Sequence, residues 1–104
     1  MIKRIEKFGA QWCQPCKMLE KTLDKITKAY PDIEYIIRDA DTDEDSARFE
    51  EMHIKNIPHT FFFDEHGHQV IDIIGAVPYS QINDIIKDNL DTSVDINDCG
   101  YETE

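Results

Sequence analysis

Two cysteines lie two residues apart in the stretch FGAQWCQPCKML, Phe8 to Leu19, with a tryptophan before them and a proline between them. A thiol pair at this spacing suits three chemistries: half of a metal clip, a structural disulfide or a reactive dithiol. A tetrahedral zinc site takes four ligands, commonly two Cys-x-x-Cys pairs or one pair with two closely spaced histidines. Here there is one such pair, and of His53, His59, His66 and His68 only the last two are near each other. Those two fall where a hairpin turn is expected, so polar residues there need no metal to explain them. The missing second pair argues against the clip.

The dithiol reading has a physical reason at each position. The pair lies where a strand is expected to run into a helix N-terminus. Unpaired backbone N–H groups and the positive end of the helix dipole stabilise a thiolate on Cys13 there. Pro15 suits the first turn, where its missing N–H costs nothing. Cys16 lies one turn in, close enough to bridge to Cys13 but more covered by the helix. Thiols in such motifs commonly have pKa values lowered to about 3.5–7.5. Cys13 is therefore expected to attack and Cys16 to resolve.

The elements that must position this pair can be read from periodicity. IKRIEKFGA alternates loosely and reads as a strand ending at Gly9-Ala10. From Cys16 to Tyr30 the period becomes helical, with Leu19, Leu23, Ile26 and Tyr30 on one face and Lys17, Lys21, Lys25 and Lys28 elsewhere. Pro31-Asp32 stops that helix. IEYIIRDAD reads as a mostly buried strand. A second helix follows, with Asp41 or Thr42 as N-cap, an acidic first turn that suits the dipole, and Phe49 and Met52 facing inward. HTFFFDEHGHQVIDIIG gives two strands around a turn near His66-Gly67. YSQINDIIKDNL ends the fold as an amphipathic helix burying Ile82, Ile85, Ile86 and Leu90.

This order predicts a right-handed βαβ unit with parallel strands, followed by a hairpin closed by a helix. The 104 residues suit one domain, expected over 1–90. Residues 91–104 hold five acidic residues, no basic ones and Cys99, and read as an acidic flexible tail. Cys99 is expected to be a free, exposed thiol.

Net charge is -11. That argues against a nucleic acid or an anionic membrane as partner, since phosphates would be repelled. The charge is uneven: residues 1–29 carry seven Lys/Arg and three Asp/Glu, whereas 32–51 carry nine acidic and two basic. No apolar run could span a bilayer. Met1-Ile2-Lys3-Arg4 is followed by Glu6 and Lys7, which interrupt any signal-peptide core, so a cytoplasmic protein is expected. In a reducing compartment a close thiol pair is more often catalytic or metal-binding than a structural staple.

WCQPC resembles the active-site segment of the thioredoxin family, usually W-C-G-P-C after a hydrophobic strand. IKNIPHTFFF is similar to that family's cis-proline segment, which makes Pro58 the candidate, and DIIGAVPYSQI resembles its later Gly-Ala turn. The similarity runs over about residues 3–90 in matching order. It implies a three-layer α/β/α thioredoxin-like fold with a four-stranded mixed sheet and three main helices. It also implies a groove for an extended client across Trp12, Cys13, Ile57, Pro58, Gly75 and Ala76, with backbone pairing at Ile57. The implied activity is reduction of protein disulfides by a cytoplasmic monomer. Its electrons would come from a thioredoxin reductase or glutathione, with no bound metal or flavin.

Three departures from the family pattern matter. The family's usual first strand and helix have no room here, so the Ile33–Arg38 strand should be an edge. Gln14 replaces the usual glycine between Cys13 and Pro15, which leaves the proline beside the resolving thiol and favours a reductase. Six residues before Cys13, where the family usually buries an aspartate, stands Lys7. An ammonium would stabilise a thiolate but cannot accept a proton while charged. The cost of burying an unpaired charge favours a lysine that reaches solvent through the space of the missing helix. Glu6 should point to the opposite face. These departures motivate a second reading, a binding module that holds one partner in the groove with incidental redox activity.

Overall fold

The computed structural model describes residues 1–88. Leu90, Cys99 and the expected tail lie outside the described residues. The elements are β1 (Ile2–Gly9), α1 (Gln14–Ala29), β2 (Glu34–Asp39), α2 (Asp43–Glu51), β3 (His59–Asp64), β4 (Gln69–Ile74) and α3 (Tyr79–Asp88). They form one four-stranded sheet in the order β2-β1-β3-β4. β1 and β2 run parallel, and the β1–β3 and β3–β4 pairs are antiparallel. This is the mixed α/β architecture expected from the sequence, with β2 at an edge.

Two apolar clusters define the layers. Ile2 and Ile5 of β1, Leu19, Leu23 and Ile26 of α1, Phe62 of β3, and Ile82 and Ile86 of α3 form the larger one. Phe8, Phe61 and Phe63 form the other, against which Phe49, Met52 and Ile54 pack from the α2 side. Ile2 and Ile5 reach the same cluster although three residues apart, because the β1–β3 register shifts between Ile2 and Arg4. Full burial of each such side chain stabilises the fold by about 1.5–3 kcal/mol.

α1 follows its spacing. Cys16, Leu19, Leu23 and Ile26 are buried, and Lys17, Lys21, Lys25 and Lys28 are exposed. Its end is tied to α3 by the Tyr30 hydroxyl, 2.5 Å from Asn83 Oδ1. Thr42 is the N-cap of α2, although its hydroxyl makes no capping bond. It lies 3.0 Å from both the Asp39 carbonyl and Asp45 Oδ2. Phe49 and Met52 face inward as expected, but α2 has no fully buried residue. In α3, Ile82 and Ile86 are buried and Ile85 is partly so.

The expectation of a mostly buried second strand is corrected. Ile37 is 48% exposed, and Tyr35 and Ile36 are half-buried. Among the described residues no strand lies beyond β2, which leaves one of its margins open. The β3–β4 hairpin turns where expected, with Gly67 at φ 82°.

Candidate active site

Cys13 is the N-cap of α1, and its sulfur accepts a hydrogen bond from the Cys16 backbone N–H at 3.2 Å. Pro15 occupies the first turn, and no acidic residue stands there to oppose an anion. Cys13 and Cys16 are joined as a disulfide, their Cα atoms 5.2 Å apart. Cys16 is fully buried and Cys13 retains 7% exposure. A group approaching from solvent therefore meets Cys13 first. Among the described residues no three of His, Cys, Asp and Glu converge in a way that could hold a metal ion.

The other predicted groove residues lie on segments tied to this pair by packing and hydrogen bonding. Ala10, Cys13 and Cys16 form a small cluster with Ile57 packed against it. The Ile57–Pro58 bond is cis. Gly75, at φ 94°, donates its N–H to the Pro58 carbonyl at 2.8 Å, which fastens the Gly75-Ala76 turn to the cis-proline loop. Trp12 and Gln14 are exposed, Trp12 at 67%. So Trp12, Ile57, Pro58, Gly75 and Ala76 sit on segments gathered around the disulfide. Met18 was not anticipated. It is largely exposed two residues past Cys16, and it lines a shallow cleft with Ala76 and Val77.

Lys7 corrects the expectation of a solvent-reaching side chain. It is 1% exposed, and its Nζ donates to Glu20 Oε2 at 2.6 Å. An unpaired buried ammonium would be costly, and Glu20 removes that obstacle. Glu20 lies one helical turn beyond Cys16 and so shares its face, a spacing that could have flagged it. Glu6 points to the opposite face as expected, fully covered and held by Arg38 and Arg48. Burial alone would raise the Glu6 carboxyl. The hydrogen bonds from Arg48 and Arg38 outweigh that and hold it below its ordinary value.

The Thioredoxin family model matches residues 3–88. Mitochondrial thioredoxin-3 of Saccharomyces cerevisiae is 38% identical over 82 residues, covering 75% of this chain and 62% of the yeast protein. Chloroplastic thioredoxin M-type of Spinacia oleracea is 35% identical over 80 residues, covering 77% of this chain and 43% of the spinach protein. The chain thus spans less than two thirds of the length of either. Thioredoxin 1 of Synechococcus elongatus is 30% identical over 89 residues, covering 86% of this chain and 81% of that one. Among solved structures, oxidised mitochondrial thioredoxin 3 from S. cerevisiae superposes with a TM-score of 0.70 at 33% identity, over 82% of this chain and 76% of that chain.

Proposed function

This chain belongs to the thioredoxin family, and from that premise we propose that it is a thiol–disulfide oxidoreductase that reduces protein disulfides through Cys13 and Cys16. The observation that carries the reading is the unequal burial of a cysteine pair at a helix N-terminus, with Cys13 reachable and Cys16 not. The Cys13 thiolate attacks one sulfur of the client disulfide. A Cys13–client bond forms, and the other client sulfur leaves as a thiolate that takes up a proton. Cys16 then attacks Cys13 Sγ, closes the disulfide and releases the second client thiol. Two electrons pass from the dithiol to the client.

The helix start favours thiolate on Cys13 by its unpaired N–H groups and dipole. Trp12, Ile57, Pro58, Gly75 and Ala76 would frame an extended client segment, with the Ile57 backbone pairing to it and Gln14 and Pro15 beside the sulfurs. Backbone pairing discriminates little between client sequences, so many clients are expected. A thioredoxin reductase or glutathione would restore the dithiol. A reducing role suits the cytoplasm, the compartment expected from the sequence.

Reduction of insulin by the dithiol form tests the reading. The wild type should precipitate insulin chains, Cys13→Ser should be inert, and Cys16→Ser should accumulate mixed disulfides with clients. An inert wild type, or a Cys13→Ser variant with full activity, overturns it.

A further inference from the structure

Lys7 sends its ammonium into the wall behind the disulfide. A methyl group placed on Gly9 would lie 2.9 Å from Cys16 Sγ and 3.6 Å from Lys7 Nζ. Sulfur and ammonium therefore flank one point, across the space that a residue with no side chain leaves open. Cys16 is wholly shielded from water, so a thiolate there depends on protein groups for its stabilisation. The Cys13–Cys16 disulfide carries no charge, and in that state the anion opposite Lys7 is Glu20.

Other polar groups stand around this wall. β3 contributes Thr60, fully buried and paired in register with Lys7. The Thr60 hydroxyl has no partner among the described residues and carries no charge. α1 contributes Glu20 and, one turn on, Asp24. β2 contributes Tyr35 and Asp39, and Asp39 is paired in register with Gly9. Asp39 Oδ1 accepts the Asp41 backbone N–H at 2.8 Å. Burial, then the charges of Glu20 and Asp24, push the Tyr35 phenol above its ordinary range, so it stays neutral where a thiol titrates. Ile57 closes the site from the cis-proline loop without a titratable group. Lys7 is the cation aimed at this wall among the described groups, and Glu20, 42% exposed, connects it to water.

We propose that Lys7 is a redox-switched counter-ion, paired with Glu20 while the disulfide is closed and with the Cys16 thiolate during resolution, and that Glu20 carries the displaced proton to solvent. The inference rests on the reading of Cys16 as the resolving thiol. In the mixed disulfide Cys16 begins as a neutral thiol and Glu20 as a carboxylate. Lys7 hands a proton to Glu20 along their hydrogen bond and takes the Cys16 proton in its place, so the ammonium ends with its charge and exchanges one anion for the other. The thiolate attacks Cys13 Sγ, the Cys13–client bond breaks, and the departing client sulfur takes a proton from water while Glu20 returns one to it. Protons and electrons both balance.

Lys7→Met and Glu20→Gln should act in opposite directions, which a structural role would not produce. In full-length protein with Cys13→Ser and Cys99→Ser, Cys16 is the remaining thiol, and its ionisation can be followed by thiolate absorbance against pH. Lys7→Met should move the titration up by about one pH unit or more, because the cation is lost. Glu20→Gln should move it down, because the thiolate no longer competes for the cation. Lys7→Arg should return most of the Lys7→Met shift. Unmoved titrations, or shifts of the same sign, overturn the proposal. If Lys7→Met does not fold, Glu20→Gln decides alone: a downward shift supports the proposal, and no shift or an upward one overturns it. A wild type inert toward insulin would remove the proposed activity itself. An active wild type with unmoved titrations removes only this inference.

Discussion

Glu6 and Lys7 are neighbours in β1 and each is 1% exposed, yet their charges are neutralised on opposite faces of the sheet by different elements. Glu6 is gripped from the α2 side by Arg38 Nε at 2.7 Å and Arg48 Nε and Nη2 at 2.9 and 2.8 Å. Lys7 faces α1 and meets Glu20. Strand alternation requires the split. Each buried charge is tolerated because its counter-charge comes from an element packed on its own side.

Glu6 ties three elements together, since Arg38 lies in β2 and Arg48 in α2. Glu6→Gln keeps the shape and removes the charge, leaving two guanidinium groups facing an amide. Losing one partner of a buried pair costs about 3–5 kcal/mol. Both arginines keep some contact with water, so the lower end, about 3 kcal/mol, is expected. Urea unfolding at neutral pH measures it. A loss below about 0.5 kcal/mol would show that the arginines do not depend on Glu6.

The same carboxylate sets a pH dependence. Because its folded-state pKa lies below the ordinary value of 4.5, the unfolded chain takes up a proton first as pH falls. The stabilisation is therefore fully present above the unfolded value and is lost as pH falls through the folded one. Asp45 adds to this with the same sign, lowered chiefly by the Asp39 backbone N–H it accepts. Unfolding midpoints taken from neutral to acid pH should fall steeply in the wild type and less steeply in Glu6→Gln. Parallel acid limbs would exclude Glu6 as a source of the slope.

What the sequence revealed and what it hid follow from one physical distinction. α1 was legible because Leu19, Leu23 and Ile26 repeat at helical spacing, and the cysteine pair because its residue types carry the chemistry themselves. The openness of β2 was hidden behind Tyr35, Ile36 and Ile37, whose apolarity says nothing about whether another strand covers them. The burial of Lys7 was hidden because it depends on Glu20, 13 residues away, and a pairing between elements leaves no local pattern.

Trp12 offers a separation of binding from folding. At 67% exposure its ring contributes little to the core, so Trp12→Ala should change unfolding free energy by no more than about 0.5 kcal/mol. If the ring contacts clients, insulin reduction should fall several-fold, mainly through KM. Unchanged KM in a folded variant would remove Trp12 from the proposed groove.

Gly9 and Gly75 should both resist alanine, for different reasons that redox state can separate. A methyl on Gly9 meets Cys16 Sγ at 2.9 Å and Cys16 Cβ at 3.1 Å, and the closed disulfide prevents that side chain from turning away. Overpacking of this kind costs about 1–3 kcal/mol. A methyl on Gly75 meets no atom within 4 Å, so its penalty is the backbone at φ 94°, about 1–2 kcal/mol. Reducing the protein frees the Cys16 side chain to rotate but leaves the Gly75 backbone as it was. Urea unfolding of both forms should therefore show the Gly9→Ala penalty shrinking on reduction and the Gly75→Ala penalty holding constant. A Gly9→Ala penalty equal in the two forms would mean that Cys16 Cβ, which side-chain rotation does not move, resists the methyl rather than Sγ.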